Sequence, residues 1–344
     1  MIMPQMNNKR ILYLDIINVV SCFSVVALHC DSYIHQYNHA DNIWWLRVLI
    51  NVLFYNAVPL FFMLSGATLV GYHKKYDTKT FFRKRIKKTL LPFLAMSLFF
   101  SVLFVISAYD DKAPIDIVKT IIVGFLTGNV PFTTYWFFIP LFLLYVFMPF
   151  ISIMVEHLTE KQLIGLIGLL FILQSCIVPI ISLSNRISWI GVPVHSLPIC
   201  GYVLYALLGY YITHSNIEKS NKALTSIVCL AVVMLAFRYI LVYNATSHSP
   251  KVFNYMAVYA VLPSVAIFMM VKRFCIGTNN RFVTLLAKRS FGVFLIQQFV
   301  IMMSFKLIPP PDIKALCMIP LVYLVCCTIV YVVQQFKFTK WLMP

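Results

Sequence analysis

Little in this sequence is suited to face water. Only 11% of its residues are charged and just 11 of its 344 residues are Asp or Glu, while 61% are hydrophobic. So few polar groups cannot cover the surface of a soluble chain of this length, which excludes a water-soluble globular domain. Alternating strands of about ten residues are missing as well. The apolar stretches run on for about twenty residues, which excludes a transmembrane barrel and fits helices that cross a bilayer. The nine Cys include no CxxC pair and no metal-ligand spacing. No disulfide framework and no metal site is expected, and most Cys sit in apolar stretches as small hydrophobes. A cleavable leader is not expected either. Lys9 and Arg10 precede an apolar segment too long for a signal peptide, with Asp15 and His29 inside it and no small-residue cleavage site after it. No internal repeat of the kind that marks many secondary transporters is visible.

What is present is a strongly apolar chain, mean hydropathy +0.85, with a net charge of +17. The reading is an all-α, polytopic transmembrane bundle of about ten spans. They lie at roughly 11–31, 46–70, 90–108, 134–154, 163–182, 197–213, 223–242, 254–272, 290–308 and 315–336. A cytoplasmic N-terminus then places the C-terminus inside too. Twenty of the 28 Lys and Arg fall in the inner segments, so the charge follows membrane sidedness and no nucleic-acid partner is expected. The chain reads as one integral membrane domain, 1–344. It carries a basic cytoplasmic loop at 71–89 and no appended soluble domain. The patch 117–127 is too short to span and reads as interfacial or re-entrant.

Polar groups inside a span are costly and point to function. In the first span Asp15, Cys22 and His29 recur every seven residues and share one stripe. Asn18 and His29 lie on one face, about 16 Å apart along the helix. His29 stands out among the eight His, because the others map to loops or helix ends. It is either a packed helix-end His or a general base that takes a proton from a hydroxyl. A lone His argues against a metal.

Four other stretches carry candidates, each with a plainer reading beside it. In 77–93 Lys79, Arg83, Lys84, Arg85, Lys87 and Lys88 crowd the inner end of the third span, either as lipid anchors or as a phosphate site. Arg85 and Lys88 share a helix face, with Pro92 one turn on. Ser65-Gly66 in 58–69 is a small-residue site for a helix or a ligand. The aromatic run at 134–149, with Trp136, reads as an interface belt. Gln297 and Gln298 in 286–299 suit hydrogen bonds between helices. Arg238 either snorkels to the outer interface or meets substrate.

In this order, these pieces resemble acyltransferase family 3, the integral membrane O-acyltransferases of bacterial surface polysaccharides. The first-span pattern appears as Leu14-Asp15-Ile16-Ile17-Asn18 and then His29. The second-span signature is matched by Pro59, Phe61, Phe62, Ser65 and Gly66, and the basic element by Arg85, Lys88 and Pro92. Trp136, Phe137, Phe138 and Tyr145 match a fourth signature. Ser290, Gly292, Val293, Phe294 and Gln297 match a fifth. Asn18 and Lys88 stand where the family has Arg, and Gln297 where it has His. The resemblance spans nearly the whole chain.

The resemblance implies transfer of an acetyl group from cytoplasmic acetyl-CoA to a hydroxyl of a cell-surface or lipid-linked glycan, in the bacterial cytoplasmic membrane and without a metal. Arg85, Lys88, Arg83 and Lys84 would hold the CoA phosphates. His29 would act as the base or carry the acyl group transiently. Asp15, Asn18, Ser65, Trp136 and Gln297 would orient the reactants. His29 lies roughly 25 Å along the helix from Leu12, toward the outer side, so the acceptor is expected there and the donor inside. A glycan exporter or flippase without acyl transfer is the competing class.

Overall fold

The described residues of the ten apolar stretches are mostly helical in the computed structural model. The model describes residues 10–108, 119, 122, 132–177, 198–248, 252–275, 280–307 and 316–344. Among them there is no strand, and seven helices are long and apolar enough to cross a membrane. The other three stretches, Pro198–His214, Val258–Phe274 and Ile319–Gln335, form helices of 17 residues. Most of the 117–127 patch lies outside the described residues.

The first helix, α1 (Leu12–Cys30), sits at the centre. The second stretch breaks at Tyr55 and Asn56 into α2 (Trp44–Phe54) and α3 (Ala57–Leu69). The basic loop folds into α4 (Thr78–Arg85), where the Asp77 carboxylate accepts the Thr80 N–H at 3.4 Å and caps an otherwise unsatisfied end. A single wide turn, Ile86–Leu90, leads into α5 (Leu91–Ala108). Pro92 accounts for that turn. It has no N–H for the Lys88 carbonyl four residues back, and its ring crowds that carbonyl.

Residues Thr133–Phe137 form a short tight turn into α6 (Phe138–His157). Then come α7 (Glu160–Phe171), α8 (Pro198–His214), α9 (Asn221–Tyr243), α10 (Val258–Phe274), α11 (Arg281–Leu307) and α12 (Ile319–Gln335). At the start of α7, Thr159 and Gln162 cap each other reciprocally.

Helix α1 packs against α2, α3, α10, α11 and α12. A very close crossing joins α3 to α8. A Cβ added to Gly66 would lie 1.8 Å from the Ala206 carbonyl oxygen, and one added to Gly209 would lie 1.9 Å from that of Met63. Neither position tolerates any side chain, so two backbones touch there as small residues allow in membranes. Ser65-Gly66 therefore divides its duties: Gly66 makes the helix crossing, and Ser65 turns to a cavity described below.

At the end of the bundle opposite the basic segments, a buried ion-pair triad ties α2 to the end of α1. Arg47 Nη1 donates to Asp31 at 3.0 Å and Nε donates to Asp41 at 2.8 Å. Arg238 also lies there. It is fully buried and does not snorkel. Its guanidinium donates to the Asn51 backbone and side chain at 3.1 and 2.9 Å and lies 3.4 Å over the Tyr55 ring.

Candidate functional site

The stripe read on α1 exists, and α11 is its partner. The two helices run parallel and meet rung by rung. Asp15 accepts the Thr284 hydroxyl at 3.0 Å. Asn18 donates to the Ala287 carbonyl at 3.0 Å. Cys22 donates to the Ser290 carbonyl at 3.5 Å. At the top His29 meets Gln297. The helical repeat explains why α1 positions three or four residues apart return to this face, and α11 answers with its own.

The lowest rung carries a cation. Arg10 reaches back to Asp15, donating from Nε at 3.1 and 3.2 Å and from Nη2 at 2.9 Å. Asp15 is buried and occupied by these bonds, so it positions Arg10 rather than acting as a base.

The highest rung is different. His29 lies in the last turn of α1 and is partly buried. Its Nδ1 has no hydrogen-bond partner, and the same holds for both amide atoms of the fully buried Gln297 and for Oε1 of Gln298. Buried polar atoms are normally satisfied, so a cluster of unsatisfied ones is an exception that calls for an explanation.

Along the lower rungs opens a cavity of about 790 Å³, whose lining reaches Phe294 and includes neither His29 nor Gln297; its size is within the range of cofactor and ligand pockets. At the basic end it is lined by Arg10, Lys88, Lys288, Arg289 and Lys340, and among the described residues no Asp or Glu lines it. Asn18, Ser65 and Ser290 follow inward. Phe61, Phe137, Phe138 and Phe294 lie at the far end. The same order repeats along α3, α6 and α11, so the cavity grades from cationic to aromatic. Phe294 is one turn short of Gln297.

Of the expected basic residues, the structure brings Lys88 into the cavity wall. Arg85 sits directly behind that wall, its guanidinium carbon 5.7 Å from the centre of the Tyr145 ring, which lines the cavity. Its Nε is buried and unpartnered. Arg83 and Lys84 are exposed and away from the cavity. Lys84 lies 3.6 Å from the centre of the Tyr76 ring instead.

Trp136 is also displaced from the cavity. It stacks on Tyr255 with ring centres 5.7 Å apart. The aromatic run is not an interface belt, because Tyr135, Phe137 and Phe138 are buried. The Tyr135 hydroxyl donates to the Leu295 carbonyl at 2.6 Å and fastens this turn to α11.

Sequence reading missed Arg10, Lys288, Arg289 and Lys340 as wall residues, because each also fits a membrane anchor. Among the described residues, no group of three or more His, Cys, Asp or Glu is arranged to hold a metal.

A family model described as an acyltransferase domain, Acyl_transf_3, matches residues 11–334. Neither a curated protein nor a solved structure matches the chain.

Proposed function

The chain belongs to acyltransferase family 3, and on that premise we propose that it moves an acetyl group from cytoplasmic acetyl-CoA to a hydroxyl of a cell-surface or lipid-linked glycan, in the cytoplasmic membrane of a bacterium. One observation carries this reading. The α1–α11 ladder joins a cation-lined cavity at the basic end to an unsatisfied His–Gln pair farther along the same seam.

The cavity suits a CoA thioester in charge and in size. Arg10, Lys88, Lys288, Arg289 and Lys340 offer donors for phosphates, with Arg supplying planar forks and Lys point charges. Asn18, Ser65 and Ser290 give hydrogen-bonding groups along the arm's path. The donor supplies the acyl group in activated form, as a thioester.

His29 takes the proton from the acceptor hydroxyl as its oxygen bonds to the acyl carbon. It returns that proton to the sulfur as the carbon–sulfur bond breaks. Gln297 orients His29 and the reacting groups through its amide. The acceptor enters from the outer face, where the α1 end with His29 lies, while the donor stays inside.

The test is transfer from labelled acetyl-CoA, with cell-surface glycans weighed in parallel. His29→Ala abolishes acetyl incorporation while glycan export continues. Loss of export, with no acetyl group found on any glycan of the wild type, would instead establish the exporter reading.

A further inference from the structure

We infer that Phe294, Phe137, Phe138 and Phe61 form a gauge that limits the acyl group to two or three carbons. This rests on the acyltransferase reading above and adds which donors the site admits and which residues decide it.

The four rings close the far end of the cavity. Phe294 packs on Phe137 with centres 5.2 Å apart and on Phe138 at 5.3 Å. Phe61 lies 5.8 Å from Phe137 and 6.4 Å from Phe294. Aromatic rings in contact have centres about 4.5–7 Å apart, so no passage for an alkyl chain runs between them.

The rings are also backed by others. Phe93 lies 4.2 Å behind Phe138, and Phe62 lies 5.2 Å from Phe137. Phe62 in turn stacks on Tyr202 at 4.0 Å, beside the Gly66–Ala206 crossing. The Tyr135 bond to the Leu295 carbonyl ties Phe137 and Phe138 to the helix that carries Phe294. A wall held from behind and fastened on both sides does not yield cheaply, because close-packed interiors resist added volume.

The geometry locates the acyl chain. A thioester running up the α1–α11 seam past Asn18 and Ser290 brings its carbonyl to the level of Phe294, one turn short of Gln297. Whatever follows the carbonyl then lies against Phe294 and its neighbours. A methyl or ethyl group fits beside the rings. A longer chain has to displace them. Apolar pockets discriminate by about 10–200-fold per mismatched methylene.

The experiment uses the full-length protein in detergent or nanodiscs with acetyl-, butanoyl- and hexanoyl-CoA. Binding is read by displacement of labelled CoA, and transfer is read separately. Wild type is expected to accept acetyl-CoA and to bind hexanoyl-CoA at least about tenfold more weakly. Phe294→Ala and Phe61→Ala are expected to erase most of that gap.

Two variants guard against misfolding, and only those that melt as single species near wild type are compared. A flat chain-length profile in wild type, or an unchanged gap in both folded variants, overturns the gauge and leaves the acyltransferase reading standing. Failure of wild type to bind any CoA thioester overturns both.

Discussion

His29 on α1 and Gln297 on α11 face each other across the seam within reach of a side-chain contact, yet the His29 Nδ1 and both Gln297 amide atoms lack a well-formed hydrogen bond. In a packed bundle such atoms cost stability, on the order of 1–3 kcal/mol for each unsatisfied group. Gln297→Leu, which keeps the shape and removes the amide, is therefore expected to melt no lower than wild type and yet to lose turnover. His29→Ala is expected to lose about 10²–10⁴-fold in transfer. Thermal unfolding and labelled acetyl transfer, measured on the same preparations, check both outcomes.

The cation rim makes a prediction about position. Lys88→Ala and Arg289→Ala each remove a wall cation and should weaken acetyl-CoA binding roughly ten- to a hundredfold, the value of one charged hydrogen bond. Arg83→Ala and Lys84→Ala should stay within about twofold, as surface changes do. Binding isotherms at two salt concentrations check this, and the wall variants should also show the shallower salt dependence.

Asp15 and Arg10 act as one unit if the carboxylate's task is to hold the guanidinium at the cavity. Asp15→Asn should then weaken CoA binding to the same degree as Arg10→Ala, and the double variant should be no worse than either single one. Strict additivity in that cycle would show that the two residues work independently.

The Arg47 triad holds the His29 end of α1 in place. Removing one partner of a buried pair strands the other charge, at about 3–5 kcal/mol. Arg47→Met leaves Asp31 and Asp41 without their cation and should lower the melting temperature sharply. Restoration of stability in Arg47→Met combined with Asp31→Asn would confirm that the stranded carboxylate is the cause.

Gly66→Ala tests the α3–α8 crossing. The new methyl group meets backbone rather than a flexible side chain, so the helices must part, at about 1–3 kcal/mol or more. A melting curve that matches wild type would mean that the two helices can separate freely.

The sequence made the α1 stripe visible because helical repeat is a local property, and Asp15, Asn18, Cys22 and His29 all lie on the face it predicts. The face that answers on α11 was not visible. The pairing of Asn18 with Ala287 joins residues 269 apart, and only Gln297 carried a local sign of it. Lys288 and Arg289 remained hidden because a cation at the inner interface looks the same whether it anchors the helix or lines a cavity. Phase errors account for the rest. The wide turn at Ile86–Leu90 separates Lys88 from the face of Arg83 and Lys84. The tight turn at Thr133–Phe137 points Tyr135 and Phe137 inward and leaves Trp136 on Tyr255.

The α1–α11 ladder also sets a problem of timing. Helix α1 is made long before α11, and Asn18 meets its partner only after another 269 residues have been synthesised. At about 5–20 residues per second that is a wait of roughly 15–50 seconds. Asp15 is born beside its own cation, Arg10, but Asn18 and His29 are not. During biogenesis the newborn helix must stand in the membrane with its polar stripe open, sheltered by the insertion machinery or by a passing helix, until the ninth apolar stretch arrives to close the seam.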